Sequence, residues 1–249
     1  MIEKKDLKLA VLIDADNIPY SNIKEMLDEI AKFGVPTIKR IYGDWTKPTV
    51  SGWKKSLLQH AITPIQQYSY TVGKNATDSA MIIDAMDILH SEKVDGFCLV
   101  SSDSDFTRLA TRLRESGMTV IGIGEKKTPN PFIVACDKFI YIEIIAKKVQ
   151  KTPSRSKSIQ SKDSGIEPIN NKFIQLIIAS VEDIADDDGW AFLAEVGSLI
   201  MKKKPDFDPR NYGFLKLTPM IKSLDEYFEV DERESGKKYI KHIYVRIKK

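Results

Sequence analysis

Cysteine and histidine are scarce in this chain of 249 residues, which contains two cysteines and three histidines. Cys98 and Cys136 lack the spacing of a metal-binding motif, and Cys98 falls in an apolar run, so we expect two reduced thiols in the core. This excludes a structural zinc site and a disulfide framework. His60, His90 and His242 are scattered along the sequence, which does not favour catalysis by histidine bases.

Long apolar runs are also absent. No stretch approaches the ~18 consecutive apolar residues that a membrane-spanning helix requires. The first five residues, Met-Ile-Glu-Lys-Lys, contain no apolar core of a signal peptide. We therefore expect a cytoplasmic protein without a membrane partner.

Charge is distributed unevenly, although the net charge is only +3. Residues 147–168 contain six basic and two acidic side chains and no hydrophobic period, which is typical of a flexible basic linker. The sequence therefore predicts two domains, at residues 1–146 and 169–249. The linker is interpreted either as a solvated tether or as a segment that contacts phosphate groups.

The first domain alternates apolar runs with segments of helical period. The runs are apolar without alternation, which is typical of strands covered on both faces. Strands are predicted at residues 9–13, 37–42, 61–66, 97–100, 118–123 and 138–142, and helices at residues 21–33, 53–60, 77–90 and 105–116. We therefore predict an α/β fold with a parallel sheet flanked by helices.

Acidic residues follow two of these strands where each strand should end. They are Asp14, Asp16, Asp103 and Asp105. Because the carboxyl ends of parallel strands meet at one edge of a sheet, we expect these acids to share a crevice, with Asp78 at a helix start as a fifth candidate. Crowded carboxylates repel one another unless a cation neutralises them, and hard oxygen ligands favour Mg²⁺ or Mn²⁺.

A simpler interpretation is that these aspartates cap helices. Short polar side chains bind free N–H groups at helix starts, and Asp14 with Asn17, or Asp103 with Ser104, is placed to do so. Capping accounts for a single such aspartate more readily than for a pair at each of two strand ends. The metal site is therefore the favoured interpretation.

Three blocks of sequence contain these acids and their neighbours. Residues 12–17 read Leu-Ile-Asp-Ala-Asp-Asn, residues 74–78 read Lys-Asn-Ala-Thr-Asp, and residues 100–106 read Val-Ser-Ser-Asp-Ser-Asp-Phe. In this order they resemble the signature blocks of the NYN domain, a branch of the PIN-like nucleases also called LabA-like, over residues 7–146. The resemblance implies a PIN-like sheet and a metal-dependent ribonuclease that cleaves RNA phosphodiester bonds with metal-activated water.

The resemblance also assigns roles to individual residues. The catalytic, metal-binding acids of the family fall on Asp14, Asp78, Asp103 and Asp105. The polar residue of its first block falls on Asn17, and the implied cofactor is Mg²⁺ or Mn²⁺. A further family acid falls on Asp84, which lies in an apolar helix and is expected to orient neighbouring side chains. Where the family commonly has Lys-Gly, this chain has Lys74 and Asn75.

Basic side chains near these blocks are candidates for substrate binding. Lys74 precedes Asp78 and is placed to contact a phosphate group. Arg108 and Arg112 are four residues apart on one predicted helix and share a face suited to an RNA backbone. All three are equally consistent with exposed, solvated side chains.

The C-terminal part, residues 169–249, is predicted to be a small winged helix-turn-helix domain. Segments of helical period at residues 172–184, 192–201 and 213–224 precede two alternating segments, at residues 227–230 and 239–246, that predict a two-stranded wing. Residues 190–197 and 211–217 resemble the LOTUS domain, also called OST-HTH. That resemblance implies binding of RNA or docking of a protein partner. Tyr212 is interpreted either as a core residue or as an exposed ring for base stacking.

Two functions follow from these patterns. The first is a Mg²⁺ or Mn²⁺ dependent endoribonuclease whose C-terminal module binds RNA. The second is a non-catalytic RNA-binding or regulatory scaffold that has kept the fold. The presence of all four family acids favours the enzyme. A phosphatase with Asp14 and Asp16 as nucleophile and acid is disfavoured, because Asn17 and Ile18 do not match that class.

Overall fold

The computed structural model describes residues 6–50, 52–68, 76–146, 166–234 and 241–248. Contacts between residues divide the chain into two compact units, Met1–Ser154 and Arg155–Lys249. Most of the linker predicted at residues 147–168 lies outside the described residues. Within the described ranges, no helix is long and apolar enough to span a lipid bilayer.

In the described part of the first unit, six strands pair in parallel to form one sheet. The strands are β1 (Leu7–Asp14), β2 (Gly34–Gly43), β3 (Thr63–Gln66), β4 (Gly96–Val100), β5 (Thr119–Gly124) and β6 (Lys138–Tyr141). Their order across the sheet is β3-β2-β1-β4-β5-β6. The predicted PIN-like α/β fold, with a parallel sheet flanked by helices, is confirmed.

Helices cover both faces of this sheet. They are α1 (Ile23–Ile30), α2 (Trp53–His60), α3 (Ala76–His90), α4 (Thr107–Glu115), α5 (Asn130–Ala135) and α6 (Ile142–Ala146). Buried side chains of α3, α4 and α5 pack on one face, and those of α1, α2 and α6 pack on the other. The sequence does not predict α5 and α6, because six and five residues are too few to display a helical period.

β1 is one of the two central strands and is buried on both faces. Ala10 and Leu12 belong to the core on the α3 side, whereas Val11 and Ile13 belong to the core on the α1 side. Because side chains alternate along a strand, Asp14 points to the same side as Leu12. An apolar strand thus places a carboxylate on the α3 side of the sheet.

The order of the strands reverses between β1 and β4. From β1 the chain proceeds outward to β2 and β3, and α3 then returns it to β4 on the other side of β1. In open parallel sheets such a reversal leaves a crevice at the carboxyl ends of the strands, and ligands bind there. Asp14 ends β1 and residues 101–105 follow β4 at this crevice. The acids at the strand ends therefore occupy the usual ligand position of such a sheet.

The described part of the second unit contains three α-helices and a three-stranded antiparallel sheet. The helices are α7 (Asn171–Glu182), α8 (Leu193–Lys203) and α9 (Leu217–Lys222). The strands, in the order β7-β9-β8, are β7 (Ala191–Phe192), β8 (Phe228–Glu234) and β9 (Lys241–Ile247). The predicted small winged-helix region is confirmed.

Two details of the second unit differ from the sequence prediction. The third helix begins at Leu217 and not at residue 213, because Gly213 adopts a left-handed conformation (φ +85°) that ends the 3₁₀ turn Pro209–Tyr212. The sheet gains a third strand, β7, whose two residues pair with Val245 and Tyr244 of β9. A two-residue strand displays no alternation, so the sequence pattern does not reveal it.

Candidate metal centre

Asp14 is the most deeply buried of the acids at the carboxyl edge of the sheet, with no solvent exposure (0%). Its carboxylate accepts hydrogen bonds from the side-chain amide of Asn17 (2.6 Å), the hydroxyl of Ser101 (2.9 Å) and the backbone N–H of Asp16 (3.1 Å). Burial raises the pKa of the Asp14 carboxyl, and these hydrogen bonds partly offset the rise. Asn17 and Ser101 therefore fix the orientation of a buried ionisable group.

Ser101 connects the ends of the two central strands. Its buried hydroxyl donates to Asp14 and accepts a hydrogen bond from the backbone N–H of Asp103 (3.1 Å). The neighbouring strand β5 lies so close that a Cβ atom at Gly124 would come within 2.6 Å of the Ser101 carbonyl oxygen, so a glycine is required there. Ser101 is not recognisable as a site residue from the sequence, because a serine near two acids has the composition of any polar loop.

Asp78 reaches the same edge of the sheet from the first turn of α3. Its side chain is largely buried, with 8% of the residue exposed. The preceding residue, Thr77, donates a hydrogen bond from its hydroxyl to the carboxylate of Asp16 (3.2 Å), which ties the start of α3 to the segment after β1. A carboxylate is favoured in the first turn of a helix, because the free backbone N–H groups there carry partial positive charge.

Three of the predicted acids converge on a single point. Asp78, Asp103 and Asp105 each offer one carboxylate oxygen, and these oxygens lie within 4.8 Å of one another. Ligand oxygens of an octahedral Mg²⁺ are about 3.0 Å apart when adjacent and about 4.2 Å apart when opposite, so the three side chains must move closer together to share a cation. The ligand chemistry fits as well, since a group made of carboxylates suits Mg²⁺ or Mn²⁺ better than zinc. We call these three residues the carboxylate group; Asp14 lies outside it.

Burial, together with neighbouring negative charges, raises the pKa of Asp78 to about 6. Burial is the largest cause of the rise, and the negative charges of Asp14, Asp103, Asp105 and Asp16 add to it. Each of these charges favours the protonated form of Asp78. A divalent cation among the carboxylates has the opposite effect and stabilises the ionised form, so the electrostatics of this edge suit a bound cation.

The interpretation of these aspartates as helix caps holds for Asp103. Its Oδ1 accepts a hydrogen bond from the backbone N–H of Asp105 (2.9 Å) and so caps the 3₁₀ turn Ser104–Phe106. Asp14 has a different role, because its partners precede the first helical turn, which starts at Tyr20. Capping uses Oδ1 of Asp103 and is compatible with cation binding through Oδ2.

The basic residues predicted to bind substrate have separate positions. Arg108 and Arg112 are exposed on α4, the helix that follows Asp105. The guanidinium of Arg112 donates to the hydroxyl of Ser116 (2.9 Å) at the end of that helix. Lys74 lies outside the described residues. Contact of these three side chains with a substrate stays a prediction.

Asp84 docks α3 on the sheet. Its carboxylate accepts hydrogen bonds from the guanidinium of Arg40 and from the hydroxyl of Tyr42, both on β2. Tyr42 is fully buried and pairs in register with Asp14 of β1. Asp84 is therefore an orienting residue, as expected, since it holds the helix that bears Asp78 against the strand next to Asp14.

Ser101→Ala tests how firmly Asp14 is held. We expect this substitution to lower the free energy of unfolding by about 1–3 kcal/mol, because a buried carboxylate loses a donor and the N–H of Asp103 loses its acceptor. Urea denaturation measures the change. Ser104→Ala is the matched control, because Ser104 is exposed in the same segment. An equal loss of stability in the two variants would contradict the role assigned to Ser101.

Comparisons with known families agree with this geometry. The family model of the NYN domain matches residues 8–143. The family model of the OST-HTH/LOTUS domain matches residues 167–240. No curated protein matches the chain.

Two solved structures are similar to parts of the chain. A protein of unknown function from Vibrio parahaemolyticus RIMD 2210633 is 21% identical, with a TM-score of 0.47 and coverage of 57% of this chain and 96% of that one. An uncharacterised protein from Nitrosomonas europaea is 32% identical, with a TM-score of 0.30 and coverage of 40% of this chain and 90% of that one. Because the NYN model spans more than half of the sequence and includes both strand ends and the helix start that bear the acids, the chain belongs to the NYN domain family and carries an OST-HTH/LOTUS domain after it.

Proposed function

We propose that the protein is a Mg²⁺ or Mn²⁺ dependent endoribonuclease that cleaves RNA at the carboxyl edge of its parallel sheet. The observation that carries the proposal is the convergence of Asp78, Asp103 and Asp105 on one point. Two family assignments support it, since the NYN domain is of a nuclease type and the OST-HTH/LOTUS domain is of an RNA-binding type.

The proposed mechanism assigns the cation to the carboxylate group. Asp78, Asp103 and Asp105 would hold the cation, which would lower the pKa of the water that attacks the phosphodiester and neutralise charge on the phosphoryl oxygens. Asp14 adds a negative charge that acts directly on Asp78, and Asn17 and Ser101 hold that charge in place. With water as the attacking group, the protein needs no side-chain nucleophile. Its few and scattered histidines do not favour a histidine base either.

Substrate binding is proposed to involve the basic side chains around the acidic site. An acidic site repels RNA until a cation fills it, so positive charge must be supplied by its surroundings or by another part of the chain. Arg108 and Arg112 are exposed on α4, and Lys74 shortly precedes Asp78 in the sequence. Contacts of this kind position the phosphate backbone without reading its sequence. The OST-HTH/LOTUS domain is the second proposed source of RNA affinity.

Circular single-stranded RNA tests the proposed activity, because it has no ends and only internal cleavage converts it to a linear form. We expect the purified protein to linearise the circle with Mg²⁺ or Mn²⁺ and to leave it intact with EDTA. RNA that is bound but stays circular under all conditions would favour the non-catalytic scaffold. Cleavage that persists in EDTA would contradict the role of the cation.

A further inference from the structure

One face of the three-stranded sheet in the second unit is open and rich in aromatic side chains. Ile243, Val245 and Ile247 of β9 pack in the core, so the alternate residues of this strand point outward. Cross-strand neighbours on β7 and β8 extend this surface, and a tryptophan directly before β7 adjoins it. We define it as the aromatic face, which consists of Trp190, Phe192, Arg233, His242, Tyr244 and Arg246.

Guanidinium groups cover rings on the aromatic face. The guanidinium carbon of Arg233 lies 4.1 Å from the centroid of the Tyr244 ring, and that of Arg246 lies 4.6 Å from the centroid of the Trp190 ring. Phe192 packs beside Tyr244, with ring centroids 5.6 Å apart. These side chains are all exposed or partly exposed. The face therefore presents flat, conjugated groups to solvent in layers.

Local ion pairs make the aromatic face almost neutral. Arg233 pairs with Asp231 (2.8 Å), and Arg246 pairs with Glu229 (2.6 Å). Both arginine side chains remain 42% exposed. The two carboxylates weaken the attraction of these arginines for phosphate groups. The flat faces of the guanidinium groups stay suited to stacking.

An open acidic groove adjoins the aromatic face. It has a volume of about 860 Å³. Its lining includes Arg246, which belongs to the aromatic face, and Glu229, the ion-pair partner of Arg246. The remaining charged residues that line it are Glu182, Asp187, Asp188 and Lys248. Because carboxylates outnumber cations there, the groove repels a phosphate backbone, and the contact that the aromatic face can offer a nucleic acid is to its bases.

The sequence-based candidate for base stacking, Tyr212, is a core residue. It is 7% exposed, and its ring stacks on that of Phe173 with centroids 4.6 Å apart and an angle of 7° between the planes. Phe207 packs against both rings. The exposed-ring interpretation of Tyr212 is therefore wrong, whereas the rings of Phe192 and Tyr244 are partly exposed on the sheet of this unit.

We propose that the aromatic face binds unpaired bases of single-stranded RNA by stacking. This inference rests on the proposed recruitment of RNA by the second unit. It adds which surface binds the RNA and which kind of contact it makes. Unpaired bases stack on aromatic rings and on guanidinium planes, and each stacked base changes affinity by about fivefold to 150-fold. Bases within a duplex already stack on their neighbours, so the aromatic face selects single strands.

The experiment compares two probes with equal numbers of phosphates, a fluorescent oligoadenylate and an abasic ribose-phosphate oligomer of the same length. Binding to the intact chain is measured by fluorescence anisotropy in EDTA, so that metal-dependent cleavage does not interfere. We expect the oligoadenylate to bind about fivefold to 150-fold more tightly, and Tyr244→Leu to remove most of that advantage. Tyr244→Phe keeps the ring and is the matched control, which should retain the advantage.

Arg233→Gln is a second variant, at an exposed position, for use if Tyr244→Leu lowers stability. It should also reduce the difference in affinity between the oligoadenylate and the abasic oligomer. Equal affinity for the two probes, or an undiminished advantage in both variants, would overturn the stacking proposal and leave RNA binding itself intact. A wild-type chain that binds neither probe would overturn it too. Cleavage of circular RNA, measured separately with Mg²⁺, shows whether the proposed nuclease function stands in each case.

Discussion

Asp78→Asn is expected to lower the rate of RNA cleavage about a thousandfold at a fixed concentration of Mg²⁺. Asparagine has nearly the shape of aspartate, but its neutral amide removes one negative charge from the three converging carboxylates. A bound cation contributes several kcal/mol to stabilisation of the transition state, and a loss of about 4 kcal/mol corresponds to this factor. Initial rates on circular RNA measure the effect.

The fold should survive the Asp78→Asn substitution. Burial and neighbouring negative charges raise the pKa of Asp78 to about 6, so the ionised form of this side chain disfavours the folded state. Asp87→Asn is the matched control, because Asp87 is exposed on the same helix, and it should keep both activity and stability. An Asp78→Asn protein that cleaves RNA at the wild-type rate would show that the carboxylate group is not catalytic.

Mg²⁺ is expected to raise the melting temperature of the wild-type protein by about 5–10 °C. A cation that binds the folded chain alone stabilises it by about 2.7 kcal/mol at a hundredfold excess over its dissociation constant. Each kcal/mol raises the melting temperature of a domain of this size by about 2–4 °C. Asp78→Asn should lose most of this response, because it weakens the shared cation site.

The stabilisation by Mg²⁺ should depend on pH in a defined direction. In EDTA, burial and neighbouring charges raise the pKa of Asp78 in the folded protein to about 6, whereas an unperturbed aspartate has a pKa of 3.8. The stability of the metal-free protein therefore falls as the pH rises between these values, and Mg²⁺ should stabilise more above pH 6 than below it. NaCl at matched ionic strength is the control, and an equal rise in melting temperature with NaCl would exclude a specific site.

The plan of the first unit is predictable from sequence because its signals are local. Residues 9–13 and 97–100 are apolar at every position, and this alone predicts β1 and β4 as strands buried on both faces. Parallel strands present their carboxyl ends at one edge, so the acids that follow both strands are placed together without knowledge of the packing. Asp78 is predicted to join these acids because it lies at the start of a helix and matches a metal-binding acid of the family that the chain resembles.

Contacts between segments that are distant in the sequence could not be predicted from the sequence. The hydrogen bond from Ser101 to Asp14 joins residues 87 positions apart and depends on the parallel register of β1 and β4. The layering of Arg233 over Tyr244 depends in the same way on the pairing of β8 with β9. Both are products of strand register, which single-residue patterns do not encode.

The most direct test of a shared cation is to measure Mn²⁺ binding by electron paramagnetic resonance, which detects the free ion in solution. We expect the wild-type and Asp87→Asn chains to bind Mn²⁺ tightly. Asp78→Asn and Asp103→Asn should bind it far more weakly, because each removes one of the converging carboxylates. Equal Mn²⁺ binding by all of these proteins would contradict a cation site at Asp78, Asp103 and Asp105.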